Sequence, residues 1–339
     1  MLPALAVADA LKRRGVNVTF AGSPDRVEAR LVPEAGYELD TFEVSGFPRE
    51  PSLALLRSIR QAVTAPAACL GILRRRRPDV VLGAGGYVAG PMVLAARLQR
   101  IPAALTEADA HLGLANRLAA PFARRVFLAY PLPGRNSGKY RVVGRPIPDR
   151  AQALRQTEAR EIFELPQGVP VLGVFGALAG ARALNEFVVE TWGKAGPAIL
   201  HITGRRDYDA VRRRVDRPDY RVFPETERFG AAISACDLVL ARSGSSVWEI
   251  AAAGRPAILV PYPFATADHQ AKNASHFVHA GGAILVRELD LADVPELVRS
   301  LLDDPARLAR MGEAMTAAAR PGAAEEIADE LIALGARAR

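Results

Sequence analysis

Residues 238–261 read "LVLARSGSSVWEIAAAGRPAILVP". Leu238–Ala241 and Ala257–Pro261 are apolar runs of strand length. Between them lie a turn of small residues, Arg242–Ser246, and an Ala-rich helical stretch from Val247 that Gly254 and Pro256 bring to an end. Strand, tight turn, helix, break and second strand make one step of a parallel sheet covered on both faces. The same plan appears at 80–105, "VVLGAGGYVAGPMVLAARLQRIPAAL". This weak repeat predicts two similar α/β halves, which is an architecture and not yet an activity.

Working outward, Val16–Phe20, Ala103–Leu105, Val126–Leu128 and Arg141–Val143 read as further strands of the first half. Val169–Gly176, Ala198–Thr203 and Ala283–Val286 read as further strands of the second. Pro146, Pro148 and the charged segment Asp149–Arg160 interrupt the rhythm, so domains are predicted at 1–146 and 147–320, with a last helix from 321 to 339. A length of 339 residues fits two domains. Residues 3–14, "PALAVADALKRR", form an amphipathic helix with Leu5, Ala8 and Leu11 on one face, closed by Gly15. A doubly wound domain normally opens with a strand that feeds its first helix. Here the helix comes first, so the expectation is that the reading frame continues upstream by about one strand and one turn, roughly 10–20 residues.

Composition narrows the class. Half the residues are hydrophobic and 24% charged, which excludes a disordered chain. No apolar run approaches the ~18 residues of a membrane span, and the first residues lack the layout of a signal peptide. Cys69 and Cys236 make neither a disulfide framework nor a CxxC metal site, so a reducing compartment is expected. The net charge is +7, and lysine occurs only at 12, 139, 194 and 272, leaving 40 of the 44 basic residues as arginine. That bias is explained as well by GC-rich coding as by an anionic partner. Nucleic acid is the weakest candidate, because aromatics are 6% and no basic stretch interleaves them.

Three strand-to-helix turns are rich in small residues: Gly83–Gly86, Gly176–Gly180 and Arg242–Ser246. Such turns let a ligand approach the backbone, and free N–H groups at a helix start favour anions. None matches GxGxxG or the P-loop, and each singly is more readily a tight turn than a phosphate site. Three at the carboxyl ends of strands are a stronger signal. Glu249 is either a carboxylate suited to a helix start or an acceptor for two ribose hydroxyls. "TADHQAKN" (266–273) offers His269 and Gln270 to sugar hydroxyls, or serves as a polar loop capping the next helix. Asp268 has no Asp-x-Asp partner, so no required metal and no cofactor are expected.

"GAGGYVAGP" (83–91), "RSGSSVWEIAAAGRPAILVP" (242–261) and "ADHQAKNA" (267–274) strongly resemble the MurG family of peptidoglycan glycosyltransferases. The agreement runs in order through "PALAVADAL" (3–11), "DRVEARLVPEAGYELD" (25–40), "GLANRLAA" (113–120) and "ITGRRDY" (202–208). The resemblance implies a GT-B fold, two Rossmann-like domains facing across a cleft. It implies transfer of N-acetylglucosamine from UDP-GlcNAc to the lipid-linked muramyl-pentapeptide, lipid I. By the same resemblance Glu249 holds the ribose, the turn around Ser245, Ser246 and Val247 holds the pyrophosphate, and Arg242, Ser243 and Gly244 before it belong to the donor site. Gln270 with His269 reads GlcNAc, and Phe223-Pro224 receives the uracil. Gly83, Gly85, Gly86 and Tyr87, with Glu107 and Asn116, form the acceptor side.

The departures from the family are specific. Its Gly-rich turn ending in His, the usual candidate base, aligns immediately before Met1, so the 339-residue form is expected to be inactive and poorly soluble. Its second loop appears here as Gly176-Ala177-Leu178-Ala179-Gly180, where Leu178 and Ala179 replace a Ser and a Gln. Asp109 stands for an amide that contacts the sugar, and Arg145 is placed to substitute for an arginine the family carries beyond Pro146.

The segment 53–79, "LALLRSIRQAVTAPAACLGILRRRRPD", is either a core-facing helix with a solvated basic end or a docking element for anionic lipid. The resemblance places the protein at the cytoplasmic face of the cell membrane, with cell-wall synthesis and division proteins as partners. The competing readings are another GT-B nucleotide-sugar transferase, such as a glycolipid synthase, and a non-catalytic UDP-sugar-binding homologue.

Overall fold

The structure, a computed structural model, describes residues 1–44, 53–135, 137–148, 153–176, 181–265 and 268–337, the side chains of 53–63 excepted. It divides into two compact units, Met1–Pro148 with Gly322–Arg339, and Asp149–Pro321.

The first unit runs α1 (Leu2–Arg13), β1 (Thr19–Gly22), α2 (Val27–Glu34), β2 (Glu38–Thr41), α3 (Leu53–Arg76) and β3 (Val81–Gly83). It continues through α4 (Gly86–Leu98), β4 (Ala103–Glu107), α5 (Leu114–Ala119), β5 (Arg125–Leu128) and β6 (Tyr140–Val142). Leu5 and Ala8 of α1 pack on Val32 and Tyr37, as the apolar spacing predicts, and Gly15 at φ 74° turns the chain out of the helix. Among the described side chains of α3 the buried ones are Ala65, Cys69, Ile72 and Leu73. That i, i+4, i+7, i+8 stripe is a core face, so the plain reading of this part of 53–79 holds. Burial pushes the Cys69 thiol up to about 12, leaving it unreactive.

The sheet of this unit is in two parts. β1 pairs with β2, and β3-β4-β5-β6 form a separate parallel sheet. Between the parts lies a cavity of about 950 Å³ lined by Val16, Val18 and Phe20 on one side and Val80 and Leu82 on the other. β1 begins at Thr19, later than the expected Val16, and β2 was not foreseen. Glu38-Leu39-Asp40-Thr41 has no alternating apolar face because it is a partly exposed strand at the end of its sheet.

The second unit runs α6 (Gln156–Ile162), β7 (Val171–Phe175), α7 (Arg182–Trp192), β8 (Ala198–Ile202), α8 (Tyr208–Arg212), β9 (Tyr220–Phe223) and α9 (Phe229–Ala235). Then follow β10 (Leu238–Ala241), α10 (Val247–Ala252), β11 (Ala257–Leu259), α11 (His269–His279), β12 (Ala283–Leu285), α12 (Val294–Leu302) and α13 (Pro305–Ala319). Its sheet is wholly parallel, in the order β12-β11-β10-β7-β8-β9. Leu172, Val174, Leu238, Leu240 and Ile258 from adjacent strands are fully buried in one core cluster. The repeat aligns β3 with β10, so the place held by β7 here corresponds to the cavity of the first unit. The chain closes with α14 (Ala323–Ala336), which belongs to the first unit and packs Ile327, Leu331 and Leu334 with Val7, Ala10 and Leu11 of α1. Arg14 pairs with Glu325 and Asp329, and Arg141 with Glu326, along the same contact.

Candidate functional site

In the second unit the chain winds from β7 outward through β8 and β9, then returns to start again at β10 beside β7. The strand order reverses there, and in open α/β sheets the crevice beyond the carboxyl ends at that switch point takes ligands. The end of β7 and the turn after β10 flank it. Gly176 ends the first strand and is buried, whereas Leu178 and Gly180 lie outside the described residues.

The turn after β10 is described in full. Its chain reversal is closed by the Val247 amide, which donates to Gly244 O at 3.2 Å. The expected anion contact from Val247 is therefore already spent. Among the described residues the amides of Ser245 and Ser246 donate to nothing, and Ser245 is exposed. The Ser243 and Gly244 amides likewise donate to nothing among the described residues. The Ser243 side chain is fully buried, and its carbonyl accepts from Asn273 Nδ2 at 3.4 Å. Glu249 sits half-buried in the first turn of α10, on the helix that these amides begin.

Arg242 also departs from the expectation. Its guanidinium donates to Val260 O and Pro261 O, each at 3.2 Å, pairs with Glu288, and lies 5.6 Å from the centre of the Tyr262 ring. The side chain is spent inside the protein. Gln270 Oε1 accepts from the Tyr262 amide at 2.9 Å, which fixes the side chain by its oxygen. His269 opens α11 beside it, after Asp268 in a left-handed conformation (φ 54°). Phe223 ends β9, and its carbonyl accepts from the Thr203 amide at 3.0 Å. Pro224 has no N–H, so main-chain donors for a base are absent at that residue.

In the first unit Gly83 is a packing glycine. A Cβ there would meet Leu105 Cδ2 at 2.7 Å and Ala89 Cβ at 3.1 Å. Gly85 (φ 84°, ψ −177°) and Gly86 (φ 70°) adopt backbone that a side chain resists, and a Cβ on Gly86 would meet nothing within 4 Å. They present open backbone at the start of α4, next to the exposed Tyr87.

Glu107 and Asn116, read from the resemblance as acceptor contacts, are 8% and 4% exposed. Glu107 Oε1 accepts from the amides of Ala108 (3.0 Å) and Asp109 (3.2 Å). Its Oε2 accepts from the Gly113 amide (2.8 Å) and Asn116 Nδ2 (2.9 Å). A carboxylate so fully occupied shapes the loop and does not face solvent. What it holds out is Asp109 and His111, both half-buried, and the sequence reading passed over His111. Asp109 and Arg145, expected on the donor, both lie in this first unit. Among the described residues no three His, Cys, Asp or Glu cluster as a metal site, and no described helix is long and apolar enough to cross a membrane.

Residues 1–128 match the glycosyltransferase family 28 N-terminal domain and 171–327 the family 28 C-terminal domain. The chain is 40% identical to the UDP-N-acetylglucosamine--N-acetylmuramyl-(pentapeptide) pyrophosphoryl-undecaprenol N-acetylglucosamine transferase of Acidithiobacillus ferrooxidans, over 98% of this chain and 94% of that protein. It is 34% identical to the protein of the same name from Halothermothrix orenii, over 95% of this chain and 92% of the other. The crystal structure of Acinetobacter baumannii MurG superposes with a TM-score of 0.78 at 26% identity, covering 98% of this chain and 95% of that one. With both GT-B domains matched and identity sustained along the whole length, the chain belongs to the MurG family of glycosyltransferases.

Proposed function

We propose that the protein transfers N-acetylglucosamine from UDP-GlcNAc to undecaprenyl-pyrophosphoryl-MurNAc-pentapeptide, lipid I, yielding lipid II for peptidoglycan. The observation that carries this reading is identity of 34–40% over nearly the whole chain to proteins named for that transfer. The site supports it. An acceptor hydroxyl displaces UDP at the anomeric carbon, so the donor half must bind a diphosphate and stabilise it as it leaves. The Ser245 and Ser246 amides supply the anion contact, Glu249 the ribose contact, and Gln270 with His269 the sugar contact. Gly85 and Gly86 offer backbone to the acceptor pyrophosphate. We assign the base to none of the described residues, and the reaction as read needs no metal.

The acceptor lies in a bilayer, so the protein works at the cytoplasmic face of the membrane, beside the cell-wall synthesis and division proteins. Supporting this is the surface of the packed helices α4 and α5. Leu98, Leu114, Leu118 and Phe122 are 63%, 58%, 64% and 41% exposed, among the exposed Arg97, Arg100, Arg117 and Arg124. The Arg74–Arg77 run contributes less than its sequence promised. Arg75 and Arg76 pair with Asp40, and Arg76 also with Glu38, tying α3 to β2.

The test is lipid II synthesis by the protein expressed from its gene, given UDP-GlcNAc and lipid I in anionic vesicles. Lipid II formation with equal release of UDP is expected. Transfer to a diacylglycerol acceptor instead, or UDP-GlcNAc binding without transfer to any lipid, would replace this reading with one of its two competitors.

A further inference from the structure

We propose that Arg242 is a positioning residue for the donor, and that it acts only as one half of a latch with Glu288. The inference rests on the reading of the second unit as the UDP-GlcNAc site.

Arg242 leaves β10 at the point where the phosphate-facing turn begins, and it is 5% exposed. Its own amide donates to Phe175 O at 3.3 Å, at the end of β7. Its guanidinium covers the carbonyls of Val260 and Pro261, where the chain leaves β11, and reaches Glu288 beyond β12. The Tyr262 ring stacks against it, and the Tyr262 amide is the donor to Gln270 Oε1. One side chain therefore ties together the ends of three adjacent strands, β10, β11 and β12, and the main chain of the same residue adds β7. Two of the segments it ties carry the donor groups: Ser245 and Ser246 on one, Gln270 on the other.

The charge arithmetic excludes the simpler role. A cation this deeply placed is stable only with a partner, and the Glu288 carboxylate neutralises it. The pair presents no net charge to an anionic ligand, and both terminal nitrogens of the guanidinium are engaged, one by Val260 O and Pro261 O and the other by Glu288. A lysine can carry the charge but not the three-way fork.

The two roles predict opposite signs for one substitution. If Arg242 touches the diphosphate directly, Glu288→Gln frees its charge, and UDP and UDP-GlcNAc bind more tightly. If it latches the loops, Glu288→Gln loosens them, and donor affinity falls on the order of 10- to 100-fold, the scale of an ångström misplacement. Calorimetry with UDP and UDP-GlcNAc measures this on wild type, Glu288→Gln, Arg242→Lys and the double variant Arg242→Gln/Glu288→Gln. The double variant leaves no uncompensated buried charge, so its melting temperature should lie nearer to wild type than that of Glu288→Gln. Its donor affinity should remain as low as that of Glu288→Gln, because the latch is gone in both. In turnover the loss should appear in KM for UDP-GlcNAc, with kcat within about threefold. Wild-type affinity in Glu288→Gln, tighter binding in it, or full affinity in Arg242→Lys would overturn the latch. Wild-type protein that binds no UDP-GlcNAc would overturn the donor reading itself, and the latch with it.

Discussion

His201 Nε2 lies 3.0 Å from Asn185 Oδ1 in the interior of the second unit, and that contact fixes the protons of a whole chain of groups. Asn185 Nδ2 donates to Thr203 O at 2.9 Å and to Asp207 Oδ2 at 3.0 Å, so Oδ1 is the acceptor and His201 carries its proton on Nε2. Nδ1 then accepts from Tyr220 Oη at 2.9 Å. The imidazole is neutral with both nitrogens used. Burial pushes its pKa down to about 3, against a small opposing pull from Asp207.

A pH dependence of stability follows. Between about pH 3 and pH 6.5 the unfolded histidine binds a proton that the folded one refuses. Stability therefore rises with pH across that window, by about 1.4 kcal/mol per unit from this group. Asp207, held below the ordinary carboxylate range chiefly by Arg206, loses its contribution only at lower pH. The urea midpoint measured from pH 4.5 to 6 should thus fall less steeply on acidification in His201→Gln than in wild type, by close to one proton. His276, also lowered by burial, is present in both proteins and cancels. Parallel pH curves would show that His201 is already charged in the native state.

Glu249→Ala should weaken UDP-GlcNAc binding by about 2–4 kcal/mol, the loss of two hydrogen bonds to a charged acceptor. The change should be nearly absent for 2′,3′-dideoxy-UDP, which lacks the hydroxyls that Glu249 is read to hold. Calorimetry with both nucleotides checks it. An equal loss with both would assign Glu249 to the helix start rather than to the ribose.

Five of the six strands of the second unit were legible in their apolar runs, and β9 was not, because Tyr220–Phe223 is a partly buried strand at the end of the sheet with an arginine in its middle. What escaped reading was set by contacts between distant positions. Arg242 looked like a phosphate ligand because its sequence neighbours are small and polar, and Glu288, which neutralises it, is 46 residues away. Glu107 in "TEADAH" was placed by the resemblance on the acceptor side, yet four donors from its own loop and α5 occupy it. Gly83 and Gly85 look alike in a row of letters. Only the proximity of Leu105 to one, and the dihedral angles of the other, separate a packing glycine from a backbone-exposing one.

The surface of α4 and α5 should bind anionic vesicles in two separable ways. Leu114→Asn with Leu118→Asn removes apolar area and should lower binding at every salt concentration. Arg100→Gln with Arg117→Gln removes charge, at about 1 kcal/mol per arginine near an anionic bilayer, and should lower binding at low salt while leaving the high-salt value unchanged. Sedimentation with phosphatidylglycerol and phosphatidylcholine vesicles distinguishes the two. Binding indifferent to all four replacements would move the membrane contact elsewhere.

The divided sheet of the first unit makes the last prediction. Among the described residues β1 pairs only with β2, and β3 only with β4. Each of these strands therefore turns one row of backbone groups toward the 950 Å³ cavity between them. β8 and β10, the equivalent pair in the second unit, are flanked on both sides. Backbone groups without a partner gain no protection from exchange, however apolar the side chains beside them. Deuterium uptake should accordingly be faster, by about tenfold or more, in peptides covering Val16–Gly22 and Val80–Gly83 than in those covering Ala198–Ile202 and Leu238–Ala241. Open parallel edges also invite pairing with another chain, so protection in those two segments should grow with protein concentration. Slow exchange there at high dilution would mean that the edges are already paired in solution, and that the first unit closes its sheet as the second one does.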